Sequence, residues 1–120
     1  MTLTLRLTFL FSLGSVLSFA ASWSGALVDS ECYATAQRNV SPGHPASHNT
    51  SRTIRTCSPN EKTKSFSVVQ HGEALSLDSN GNEKARELVL KGGKKSAYMV
   101  NVTGDLTQDT LKVDTISIKE

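Results

Sequence analysis

Residues 7–20 read LTFLFSLGSVLSFA, fourteen positions that are apolar apart from Thr, Ser and Gly. Arg6 and the amino terminus place positive charge ahead of the run, and Ser18-Phe19-Ala20 sets small residues at the −3 and −1 positions of a cleavage site. A basic start, a short apolar stretch and a small-residue exit describe a secretory signal peptide. The expected cut follows Ala20, with Ser22 as the second choice. A membrane anchor is the competing reading, but a span needs about 20 apolar residues, and the run stops before Ser22-Trp23-Ser24. No cysteine stands at the cut, so a lipid anchor is not indicated. The expected localisation is therefore export, to a periplasm or the outside, with no membrane span once residues 1–20 are removed.

Taking 20 positions from the 120-residue chain leaves a single domain with a small stability margin. The overall hydrophobic content of 38% is inflated by the leader, and losing Arg6 lowers the formal charge from +2 to +1. A dedicated polyanion binder of this size carries a large basic excess. No nucleic-acid partner is expected. A charge fraction of 20% also separates the chain from acidic tails and disordered segments.

Two cysteines remain, Cys32 and Cys57, 25 positions apart. An even count in an exported chain predicts a disulfide. The enclosed stretch is rich in Ser, Thr, Asn, Pro and Gly. Residues 29–63 have little apolar content and read as one long loop after the first strand.

The first strand is expected at residues 22–28 (SWSGALV), with Trp23 and Leu27 on one face and Gly25 marking a bulge or bend. Residues 64–70 (KSFSVVQ) and 74–77 (ALSL) flank His71-Gly72 as a hairpin. Asn80 with Glu83 resembles a capping box, and Ala85, Leu88 and Val89 follow at helical spacing until Gly92-Gly93. Residues 97–103 and 111–118 alternate as the fourth and fifth strands. The phase of the fifth shifts between Val113 and Ile116, which predicts a β-bulge near Asp114-Thr115. The order β-β-β-α-β-β is that of a mainly β, five-stranded OB-like barrel. An open antiparallel sheet with the helix on one face is the alternative.

Candidate chemistry is sparse. His44 and His48 have H-x-x-x-H spacing, the weak candidates for a metal, and with Cys32 and Cys57 they would make a zinc set. Pro42, Gly43 and Pro45 argue against the helix that would give the spacing meaning. Asp29 and Glu31 are the nearest approach to an acid–base pair, though two acids at a strand end are more often solvated. Position 22 is Ser, so Ser24 is not in a G-x-S-x-G elbow. No catalytic residue and no cofactor is expected. Lys84, Arg86, Lys91, Lys94 and Lys95 outnumber Glu83 and Glu87 and form a basic patch suited to an anionic envelope polymer or to plain solvation. The aromatics after the leader are Trp23, Tyr33, Phe66 and Tyr98, mostly at core positions rather than on a stacking platform. Asn49-Thr50-Ser51 and Asn101-Val102-Thr103 match the glycosylation sequon, which matters only in a eukaryotic source.

Taken in order, several of these residues resemble a family of small exported bacterial proteins of unknown function, of the acidobacterial type. The residues are Trp23-Ser24-Gly25, Leu27-Val28-Asp29-Ser30 and Cys32, then Cys57-Ser58-Pro59 and Phe66. They continue with Asp78, Gly81-Asn82, Val102-Thr103-Gly104, Asp109-Thr110-Leu111-Lys112-Val113-Asp114 and Ile116. The resemblance covers nearly all of residues 23–118. It implies an exported OB-like β domain without an assigned activity, and it places residues 42–51 in a variable loop. The expected function is a non-catalytic binding or envelope-associated module. The alternative is a metal or small-ligand binder using the loop histidines, and an enzyme ranks last. The partner stays open, with a cell-envelope polymer or protein as the candidate class.

Overall fold

The computed structural model describes residues 21–38 and 50–119. The leader at 1–20, His44 and His48 all lie outside the described residues. Five strands close a barrel: β1 (Ala21–Asp29), β2 (Phe66–Gln70), β3 (Glu73–Leu77), β4 (Tyr98–Thr107) and β5 (Thr110–Ile118). Their order is β1-β2-β3-β5-β4, with β4 returning to β1. This order agrees with an OB-like barrel. All pairings are antiparallel except β3 with β5, which is parallel and short, joining Ser76 to Thr110 and Leu77 to Leu111.

The hairpin between β2 and β3 turns on His71 (φ 51°) and Gly72 (φ 81°). Positive φ at both central residues matches the right-handed twist of the strands on either side. The expected bulge is present on β5. Thr103 faces Thr115 and Gly104 faces Val113, so Asp114 is the extra residue. Gly104 stands opposite it, where a Cβ would come 2.0 Å from the Lys112 carbonyl oxygen. The fourth strand, expected to end at Thr103, runs on as β4 to Thr107. Gly25 does not mark a bulge. The β1–β4 register is continuous from Ala21 to Leu27, and the glycine is needed because a Cβ there would meet the Val69 carbonyl oxygen at 2.3 Å.

Helix α3, the third among the described residues (Ser79–Gly92), closes one end of the barrel between β3 and β4. Its cap is Asp78 rather than the expected Asn80. Asp78 Oδ1 accepts the Gly81 amide at 2.8 Å. Asn80 Nδ2 instead donates to the Val113 carbonyl at 3.0 Å. The helix buries Ala85 and Val89 against Leu27, Phe66, Tyr98, Val102 and Leu111. It stops at Gly93 (φ 70°), whose amide donates to Val89 O.

The expected loop at 29–63 is a correction. Its described residues hold two helices, α1 (Ser30–Arg38) and α2 (Thr50–Thr56). The low apolar content hid them because their order comes from outside the helices. The Asp29 carboxylate accepts the Cys32 amide at 3.1 Å, in the manner of an N-cap. Glu31 in the first turn of α1 and Arg38 in the last suit the helix dipole. No residue of α2 is fully buried. It is held by the Cys32–Cys57 disulfide just beyond it, with a Cα–Cα distance of 5.5 Å.

These helices make a second apolar cluster on the outside of the barrel. Val28 and Val69, on the outer faces of β1 and β2, pack with Tyr33 and Cys57, and Ile54 and Ala74 lie beside them. Strand β2 is therefore buried on both faces from Phe66 to Val69. Main-chain bonds from Asp29 N to Cys57 O (2.9 Å) and from Ser30 N to Ser65 O (3.0 Å) lock this cap to the barrel.

A candidate recognition face on the barrel exterior

Of the residues singled out for chemistry, Asp29, Cys32 and Cys57 serve the fold. Asp29 bridges two segments, taking the Cys32 amide on Oδ1 and the Thr63 hydroxyl on Oδ2, both at 3.1 Å. Glu31 is exposed. Both cysteine sulfurs are in the disulfide, which removes the thiolates from any zinc set. Among the described residues no three His, Cys, Asp or Glu side chains come together to hold a metal ion.

The basic patch divides on folding. Lys84 and Lys91 line a groove along β5, while Lys94 lines another cleft with Lys62. Lys84 Nζ donates to the Asp114 carbonyl at 2.7 Å. Lys95 Nζ sits 5.6 Å from the centre of the Tyr98 ring. Tyr33, Phe66 and Tyr98 are buried, and Trp23 is half-buried against the core.

In OB folds the outer surface around strands 2 and 3 is the usual ligand face. Here the disulfide-tethered helices cover part of it, through Val69 and Ala74. The exterior of β1, β4 and β5 is different in character. Side chains alternate along a strand, so the residues between the core positions point outward. The register aligns Ser22, Thr103 and Thr115 in one cross-strand row and Ser24, Asn101 and Ser117 in the next.

These six side chains are all uncharged and all hydrogen-bonding. Four are exposed, and Asn101 and Thr103 at the centre are half-buried. Neighbours in the rows fix each other. The Ser24 hydroxyl donates to Asn101 Oδ1, and the Thr103 and Thr115 hydroxyls are 2.5 Å apart. The sequon at Asn101 falls within this face. Asn49 of the other sequon lies outside the described residues. The face was missed because its signal is spread over three strands, two polar residues in each. Only the register brings them together.

No protein-family model, curated protein or solved structure matches this chain. Among the described residues no helix is long and apolar enough to cross a membrane.

Proposed function

We propose that this protein is a non-catalytic binding module that holds a neutral, hydroxyl-rich polymer, of the kind found in cell envelopes, on the outer face of β1, β4 and β5. The observation that carries the reading is the pair of cross-strand rows, Ser22–Thr103–Thr115 and Ser24–Asn101–Ser117. Uncharged donors and acceptors on a rigid sheet suit a glycan, whose hydroxyls need partners of both kinds and carry no charge to pair. The side-chain bonds within the rows order the groups before any ligand arrives, which lowers the cost of binding.

The covered surface around β2 supports a role other than the usual OB ligand. Export belongs to the same reading. The apolar leader at 7–20, the disulfide and the resemblance to small exported bacterial proteins support a periplasmic or extracellular site of action.

The test is retention of the purified protein on insoluble neutral polysaccharides and on isolated cell-wall sacculi. The expected result is retention on at least one of them, lost in a Ser24→Lys, Ser117→Lys double variant with an unchanged circular dichroism spectrum. Failure of the wild-type protein to bind any of them, or equal retention of the double variant, would overturn the reading.

A further inference from the structure

Strand β5 has two edges with different fates. One is paired with β4 along its length. The other meets β3 only at Thr110 and Leu111. Beyond that contact, side chains from the start of α3 take over the ladder. Asp78 Oδ1 accepts the Val113 amide at 3.2 Å, Asn80 donates to the Val113 carbonyl and Lys84 to the Asp114 carbonyl. Past Asp114 this cover ends. The Lys119 amide donates to the Met99 carbonyl on β4 at 2.8 Å. Alternation then turns the main-chain groups of Ile116 and Ile118 away from β4, toward the open edge. Among the described residues no strand pairs with that edge at positions 112–118.

The open edge borders a groove of about 330 Å³ between β5 and α3. Leu88 and Ile116 give it apolar surface, and Lys84 and Lys91 stand on its α3 side with Glu87. The side chains of Ile116 and Ile118 are only partly buried against the barrel core. Lys84 and Lys91 outnumber Glu87 among the residues that line the groove. An unpaired edge next to an apolar groove is a template for an added strand.

We propose that the open edge of β5 at residues 115–118 receives an extended segment of a partner protein as a sixth strand, with apolar and acidic residues alternating. Main-chain groups of the segment bond to Ile116 and Ile118. Its apolar side chains extend the row made by Leu88, Ile116 and Ile118, and its carboxylates, on the opposite face of the strand, are drawn by the positive field of Lys84 and Lys91 at the groove. The added strand uses the main chain of Ile116 and Ile118 and the groove, whereas the polymer face uses the outward side chains of Thr115 and Ser117, so each can fail alone.

The probe is a capped nonapeptide of alternating Asp and Val, titrated into the isotopically labelled protein, with an alternating Lys and Val peptide as control. The Asp/Val peptide is expected to shift and protect the Ile116 and Ile118 amides from exchange, and to bind at least tenfold more tightly than the Lys/Val peptide. Lys91→Glu should weaken it at least fivefold. Ile118→Pro, which removes a donor on the open edge, should abolish it while the far-ultraviolet spectrum stays unchanged. No protection at Ile116 and Ile118, equal binding of both peptides, or an edge already protected by concentration-dependent self-association would overturn the proposal.

Discussion

Asp78, in the turn before α3, and Val113, on β5, are joined by a 3.2 Å bond from the Val113 amide to the Asp78 carboxylate. The same oxygen accepts the Gly81 amide at 2.8 Å. One side chain therefore starts the helix and substitutes for a strand where β3 and β5 part. Losing an N-cap costs about 1 kcal/mol, and losing a bond to a charged group about 1.5–3 kcal/mol. Asp78→Ala is expected to destabilise the protein by about 2–3 kcal/mol, a fall in Tm on the order of 10 °C. Asp78→Asn keeps the acceptor oxygen and should lose less than half as much. Thermal melts of the two variants check this, and a shift of only a degree or two in Asp78→Ala would contradict the double role.

The Cys32–Cys57 bond closes a loop of 25 positions. On the chain-entropy model such a closure stabilises the fold by roughly 3–4 kcal/mol. Its effect should be local first, because Cys57 belongs to the outer cluster with Tyr33, Val28 and Val69 rather than to the barrel interior. Reduction with a dithiol is expected to speed amide exchange in α1 and α2 well before β4 and β5. Uniform acceleration across the chain would show instead that the cap and barrel unfold as one unit.

The Tyr98 phenol lies inside the fold and donates to the Gly93 carbonyl, with Val89 O a further acceptor at 3.4 Å. Burial raises its pKa above the ordinary 10.0. Below that value the phenol is neutral in both folded and unfolded chains, and its contribution is fully present. As pH rises beyond about 10 the unfolded chain loses the proton first, and stability falls until the folded-state pKa is passed. Denaturant melts from pH 8 to 11 should show this decline. Tyr98→Phe should flatten it, at a cost near 1 kcal/mol at neutral pH for the lost hydrogen bond.

Gly25 tests the inner dimension of the barrel. A methyl group there would sit 2.3 Å from the Val69 carbonyl oxygen and 2.9 Å from Val68 Cγ1. Because the obstacle includes main chain, β1 and β2 would have to separate. Gly25→Ala is expected to cost about 1–3 kcal/mol. Ala34→Gly on the exposed side of α1 should cost no more than about 1 kcal/mol. Equal effects in chemical denaturation would mean that the strands can move apart freely.

The strands were legible because their residues carry the pattern themselves. Phe66 and Val68 alternate with Ser65 and Ser67, and Tyr98, Val100 and Val102 alternate with Met99 and Asn101. The shift of phase at Asp114 was readable for the same reason. The helix cap was misplaced by two residues because Asn80 and Asp78 both suit a cap, and the choice depends on where β5 passes. The helices at 30–38 and 50–56 left a weaker trace. Asp29 three positions before Cys32 is a capping pattern, but the apolar partners of Tyr33 and Ile54 lie on β1, β2 and β3, distant in the chain.

The sequence by itself determined the β-rich pattern, the hairpin, the bulge, the short amphipathic helix and the pairing expected of two cysteines. Each is a local rule of period, turn chemistry or count. Only the tertiary structure decided that the barrel closes in the order β1-β2-β3-β5-β4, that α1 and α2 fold onto the outer face of β1 and β2, and that six polar side chains form one surface. The reason is register. A strand's own alternation says which residues share a side, but which of them become neighbours across strands depends on pairings between segments as far apart as Ser24 and Asn101.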